Sequence, residues 1–64
     1  MVWLNGEARP LEGRELKEVL EALGVELDRV AVLVNEEAFP GRELPPHVLK
    51  EGDVVEVVAL MQGG

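Results

Sequence analysis

The chain has 64 residues, with 13 acidic and 6 basic side chains for a net charge of −7, and it holds no serine, threonine, cysteine or tyrosine. Disulfides, cysteine-based zinc sites and the usual hydroxyl and thiol nucleophiles are thereby excluded. The acidic surface repels nucleic-acid phosphates and anionic lipids, and favours a partner with a basic docking face. His47 is the sole histidine, so neither a Ser–His pair nor a multi-histidine metal site can be assembled. A chain this short accommodates one small domain with a thin stability margin. No segment approaches the ~18 apolar residues of a membrane span, and MVWLNGEARP lacks a signal peptide's basic start and long apolar run. The expectation is a soluble, cytoplasmic protein, a monomer when free.

In chain order, Met1–Leu4 reads as a short strand with Val2 and Leu4 inward and Trp3 outward. Asn5-Gly6 is a strong hairpin signal, because both residues accept positive φ. Glu7–Leu11 reads as the returning strand, with Pro10 placing it at a sheet edge. Over Arg14–Leu23 the apolar residues Leu16, Val19, Leu20 and Leu23 fall at helical spacing. Arg14, Lys17, Glu18 and Glu21 occupy the opposite, solvated face, at the spacing of Arg14–Glu18 and Lys17–Glu21 pairs. Gly24 follows as the stop. Val30–Val34 is a β-branched, continuous strand, and Glu36–Phe39 turns back beside it after a weaker Asn35-Glu36 turn. Pro40, Gly41, Pro45 and Pro46 leave an irregular crossover through His47 to Leu49. Glu51-Gly52-Asp53 then turns into a last, Val-rich strand that reads as central, beside the first.

Strand, strand, helix, strand, short strand, crossover, strand is the order of an α+β, ubiquitin-like β-grasp. The expected fold is a mixed sheet of about four to five strands with one main helix on one face. The expected organisation is a single domain over residues 1–64. Residues 1–60 would form its body and 61–64 a flexible C-terminal tail.

Few side chains offer chemistry. His47 sits among prolines and reads as structural. Glu36 and Glu37 are adjacent, so their side chains diverge; Lys17 and Lys50 stand alone and solvated; Gly52 belongs to a turn and not to a phosphate loop. Two features remain. With Val32 and Val34 toward the helix and Glu56 toward water, period-two alternation puts Ala31, Leu33, Val58 and Leu60 on the helix-free face. That patch reads as a docking surface. The second feature is the ending Met61-Gln62-Gly63-Gly64, an arm reaching about 13 Å when extended. Without Cβ atoms, Gly63 and Gly64 can thread a narrow channel and present the carboxylate to another enzyme's catalytic groups.

"VAVLVNEEAFP", "LKEGDVVEVV" and the terminal "GG", together with the opening "MVWLNGEA" and the short helix, resemble the ThiS family of ubiquitin-like sulfur carriers of thiamine biosynthesis along the whole chain. The resemblance implies a protein that is not an enzyme but a substrate of other enzymes. An E1-like adenylyltransferase of the ThiF type would use ATP and magnesium to adenylate the Gly64 carboxylate. Sulfur originating from cysteine through a desulfurase would displace AMP to leave a thiocarboxylate. A ThiG-type thiazole synthase would take that sulfur. Under this resemblance the carrier itself would bind no cofactor. Gly63 and Gly64 carry the function under this reading, with Leu33, Val58 and Leu60 as partner contacts. The chain departs from the family pattern at Gln62 before the glycines, at Glu36 in a turn often held by glycine, and at Gly41 between Pro40 and Arg42, so Arg42 receives no role. Sister carriers for molybdopterin synthesis or tRNA thiolation, and ubiquitin-like protein modifiers, share the ending. A plain interaction module with an inert tail is the remaining alternative.

Overall fold

In the computed structural model, which describes residues 1–60, strand β1 (Val2–Leu4) turns through Asn5 and Gly6 into β2 (Glu7–Arg9). Both turn residues have positive φ, 51° and 84°, and Leu4 pairs with Glu7, which is a two-residue hairpin of the kind whose twist matches the strands. β2 stops before Pro10, earlier than the expected Leu11: proline has no N–H for the ladder, and Leu11 N–H instead closes on Arg9 C=O at 2.9 Å.

Helix α1 spans Leu16–Ala22, shorter at both ends than the periodicity predicts. At its start the backbone of Arg14 to Leu16 is engaged elsewhere. Glu15 forms an isolated antiparallel bridge with Val48, Leu49 N–H donates to Arg14 C=O at 2.8 Å, and Leu16 N–H donates to His47 C=O at 2.8 Å. Glu15 caps the helix, its carboxylate accepting from Glu18 N–H at 3.3 Å. At its end, Gly24 N–H donates to Glu21 C=O and Val25 N–H to Leu20 C=O, both at 3.0 Å, the paired bonds of a Schellman turn. The turn reverses the chain so that Val25 packs on the core while Leu23, expected in the buried stripe, is 49% exposed. Neither Arg14–Glu18 nor Lys17–Glu21 is among the ion pairs of the described residues.

After a 3₁₀ turn at Leu27–Arg29 come β3 (Val30–Val34) and β4 (Glu37–Pro40). The expected irregular crossover contains a second 3₁₀ turn, Gly41–Glu43, seated against the first. A Cβ at Gly41 would lie 2.1 Å from Leu27 C=O, so only glycine permits that approach. β5 (Val54–Ala59) closes the sheet in the order β2-β1-β5-β3-β4, parallel to β1 and antiparallel to β3. The last strand is therefore central and pairs with the first, as its valine content suggests.

One helix on one face of a mixed five-stranded sheet is the ubiquitin-like β-grasp. The core lies between α1 (Leu16, Val19, Leu20) and the inward residues Val2, Leu4, Val32 and Val55. Leu44 and Leu49 of the crossover complete it, which periodicity could not reveal in a segment without regular structure. Among the described residues no helix is long and apolar enough to cross a membrane.

Candidate functional site

Alternation along the strands sorts their side chains. In β3, Val32 is fully buried and Val34 packs on the core, so Ala31 and Leu33 turn away from α1. In β5, Val55 and Val57 turn inward and Val54, Glu56 and Val58 outward. The register joins the two strands' outward residues directly, Ala31 opposite Val58 and Leu33 opposite Glu56. Leu60, just past β5, is 53% exposed, and its N–H donates to Arg29 C=O at 2.9 Å.

The same face extends further than the sequence reading takes it. Trp3 of β1 is paired in register with Val54 of β5, and each is 44% exposed. Ala8 of β2 lies beyond Trp3, and Ala38 and Pro40 of β4 lie beyond Leu33 and Ala31, all exposed. Trp3 is outward as expected, but its membership in the patch depends on the parallel pairing of β1 with β5, a contact between the chain's first and last strands. The valine content of the last strand suggests its place beside the first, but no local signal carries the register that sets Trp3 next to Val54. Within this apolar expanse Glu56 is the lone charged group on β5 and forms no ion pair with another described residue. A recess of ≈ 200 Å³ opens beside it, lined by Leu33, Val54, Glu36 and Glu56.

At the start of β5 the polar groups form a brace. Asp53, 5% exposed, is the one buried charged residue among those described. Its carboxylate accepts from Asn35 Nδ2 at 3.0 Å and from Lys50 N–H at 2.9 Å, and His47 Nε2 lies 2.9 Å away. Burial pushes the Asp53 carboxyl up, but the bonds from Asn35, Lys50 and His47 outweigh it and hold the group down at about 2. Asn35 also accepts from Val54 N–H at 2.9 Å, fixing the strand's first residue. His47 N–H donates to the Glu15 carboxylate at 3.1 Å, tying the crossover to the helix cap. That bond is the main cause of a lowered Glu15 pKa. His47 thus serves the structural part that its prolines suggest.

The brace offers no chemistry of its own. Its carboxylates, Asp53 and Glu15, and its Asn35 amide are engaged within the protein, and the described residues contain no His, Asp and Glu grouping able to hold a metal ion. Glu36 and Glu37 diverge as their adjacency predicts, one into the turn beside the recess and the other onto β4. Gly63 and Gly64, the sequence's candidates for the working terminus, lie outside the described residues.

The described residues thus form a β-grasp body with an apolar face opposite its helix. A sulfur carrier protein ThiS from Thermus thermophilus is 75% identical over 64 residues, with 100% of both chains covered. The family model described as the ThiS family matches residues 2–64. The fold, the matched span and the full-length identity agree: the chain belongs to the ThiS family.

Proposed function

We propose that this protein is a sulfur carrier whose working group is the Gly64 carboxylate and whose sulfur is destined for the thiazole ring of thiamine. End-to-end likeness to a protein named as a sulfur carrier carries the reading. The chemistry requires no catalytic residue on the carrier. A carboxylate is a poor electrophile. Attack of a Gly64 oxygen on the α-phosphorus of ATP, with magnesium held by a ThiF-type enzyme, expels pyrophosphate and leaves an acyl-adenylate. A persulfide derived from cysteine then adds through its terminal sulfur to the acyl carbon and expels AMP, and a thiol reductant cleaves the resulting acyl disulfide to leave a thiocarboxylate that a ThiG-type thiazole synthase consumes. The absence of serine, threonine, cysteine and tyrosine suits such a carrier, since no nucleophile of its own competes for the activated terminus. The apolar face bearing Leu33, Val58 and Leu60 supplies the surface by which the enzymes hold the body while the tail reacts.

Intact-mass measurement tests the proposal. With a ThiF-type adenylyltransferase, ATP, magnesium and a sulfur source, the protein gains the mass difference between one sulfur and one oxygen. Deleting Gly64 abolishes the gain without unfolding the body. No gain in the presence of an enzyme that adenylates its own carrier overturns the reading. Conjugates on the lysines of other proteins would establish a modifier in its place.

A further inference from the structure

We infer that the helix-free face docks a protein surface that is apolar and carries one arginine or lysine, whose cationic head seats on Glu56. The inference rests on the carrier reading for the partner's identity, the ATP-dependent activating enzyme.

Leu33, Val54 and Val58 flank Glu56 with apolar surface, Trp3 lies beyond Val54, the polar neighbours are Asn5 and Glu36, and no cation of the chain lies among the outward residues of the five strands. A partner that buries those side chains also takes the Glu56 carboxylate out of water. An unpaired carboxylate resists that transfer strongly, so a stable complex needs a positive group opposite it. The chain has no such group to lend. Its six basic residues are Arg9, Arg14, Lys17, Arg29, Arg42 and Lys50, none of them an outward strand residue of this face.

The recess beside Glu56 fits what must enter. Its ≈ 200 Å³ are walled by Leu33 and Val54, which suit the methylenes of a long side chain, and by Glu36 and Glu56, which suit its charged head. The overall charge of −7 further draws a basic surface toward the protein. Glu56 is thereby a specificity element. It rejects apolar surfaces that lack the cation and accepts the one that carries it.

The test exploits a difference in sign. Glutamine keeps the shape of Glu56 and removes its charge. If a cation sits opposite, Glu56→Gln weakens binding to the ThiF-type adenylyltransferase by roughly 30-fold or more in calorimetric titration. Glu56→Arg weakens it further. If no cation is present, Glu56→Gln binds as well or better, because an unpaired carboxylate no longer has to be desolvated, and the inference is overturned. Val58→Asp, placed on the same face, separates the two levels. Weak binding by Val58→Asp alongside undiminished binding by Glu56→Gln keeps the face and removes the cation. Undiminished binding by both removes the face as well. Sulfur loading of the wild-type chain, read by intact mass, tests the carrier reading independently. Thermal unfolding of each variant confirms that the body remains folded.

Discussion

The two faces of the sheet are built from nearly the same residue types and yet have opposite fates. β5 places Val55 and Val57 under the helix, and Val54 and Val58 on the open side. What separates the faces is company. The covered side meets leucines from α1 and the crossover, whereas the open side carries Glu56, Trp3 and a margin of alanine and proline. Hydrophobicity alone therefore does not mark a core in this protein. Burial is decided by which face the helix returns to. The exposed valines are available for a second burial event in a complex.

Truncating one side chain on each face separates the two most strongly. Leu20 is fully buried, and Leu20→Ala removes its packing between helix and sheet, at a cost of about 3 kcal/mol. In a domain of this size that lowers the melting temperature by roughly 12–24 °C. Val58 is 46% exposed, and Val58→Ala changes stability by no more than about 0.5 kcal/mol. Urea unfolding of the two variants measures both. Equal losses would show that the open face also contributes to the fold.

The brace at the start of β5 ranks next. Asp53 is held down at about 2 from its ordinary 3.8, so its ionised form belongs to the folded state. Below both values the folded and unfolded chains carry the same proton and the contribution is absent; it grows as pH rises from about 2 toward 4 and is complete above that. Asp53→Asn removes the charge that Asn35, Lys50 N–H and His47 converge on, costing about 2 kcal/mol near neutrality. Between pH 2 and 4 the urea midpoint of this variant follows pH less steeply than that of the native protein. Parallel midpoint curves would show that Asp53 does not couple proton binding to folding.

Much of this architecture is legible in the residues, and most of the failures, apart from the local stops at Pro10 and Gly24, share one cause. Val30–Val34 reads as a strand because β-branched residues run without interruption, and the structure has those limits. The outward positions of Ala31, Leu33 and Val58 follow from alternation alone. The helix start is misjudged because the segment His47–Leu49 claims the backbone of Arg14 to Leu16 from more than thirty positions away. Leu44 and Leu49 are core residues in an irregular segment, where no periodicity can flag them. The extent of the candidate face is missed for the same reason, since the last strand is expected beside the first but only the register of that parallel pair sets Trp3 next to Val54. Local patterns identify elements. The contacts that assemble them are encoded across distances that periodicity does not see.

The two hairpins sharpen that lesson at the smallest scale. Asn5-Gly6 and Asn35-Glu36 have the same backbone form, with φ values of 51° and 84° in the first and 50° and 76° in the second. In both, the asparagine side chain accepts from a β5 backbone N–H at 2.9 Å, Val57 for Asn5 and Val54 for Asn35. The first turn is legible because glycine adopts positive φ without strain. The second is obscured because glutamate there has a Cβ crowding the following carbonyl, at about 1–2 kcal/mol. The long-range anchoring of Asn35 to Asp53 and Val54 sustains the strained geometry. Glu36→Gly relieves it, offset in part by the entropy of a freer unfolded chain. The net expectation is a gain of about 0.5 kcal/mol in urea unfolding. A loss instead of a gain would mean that the Glu36 side chain contributes to the folded state beyond lining the recess beside Glu56, and that the two turns are alike in backbone only.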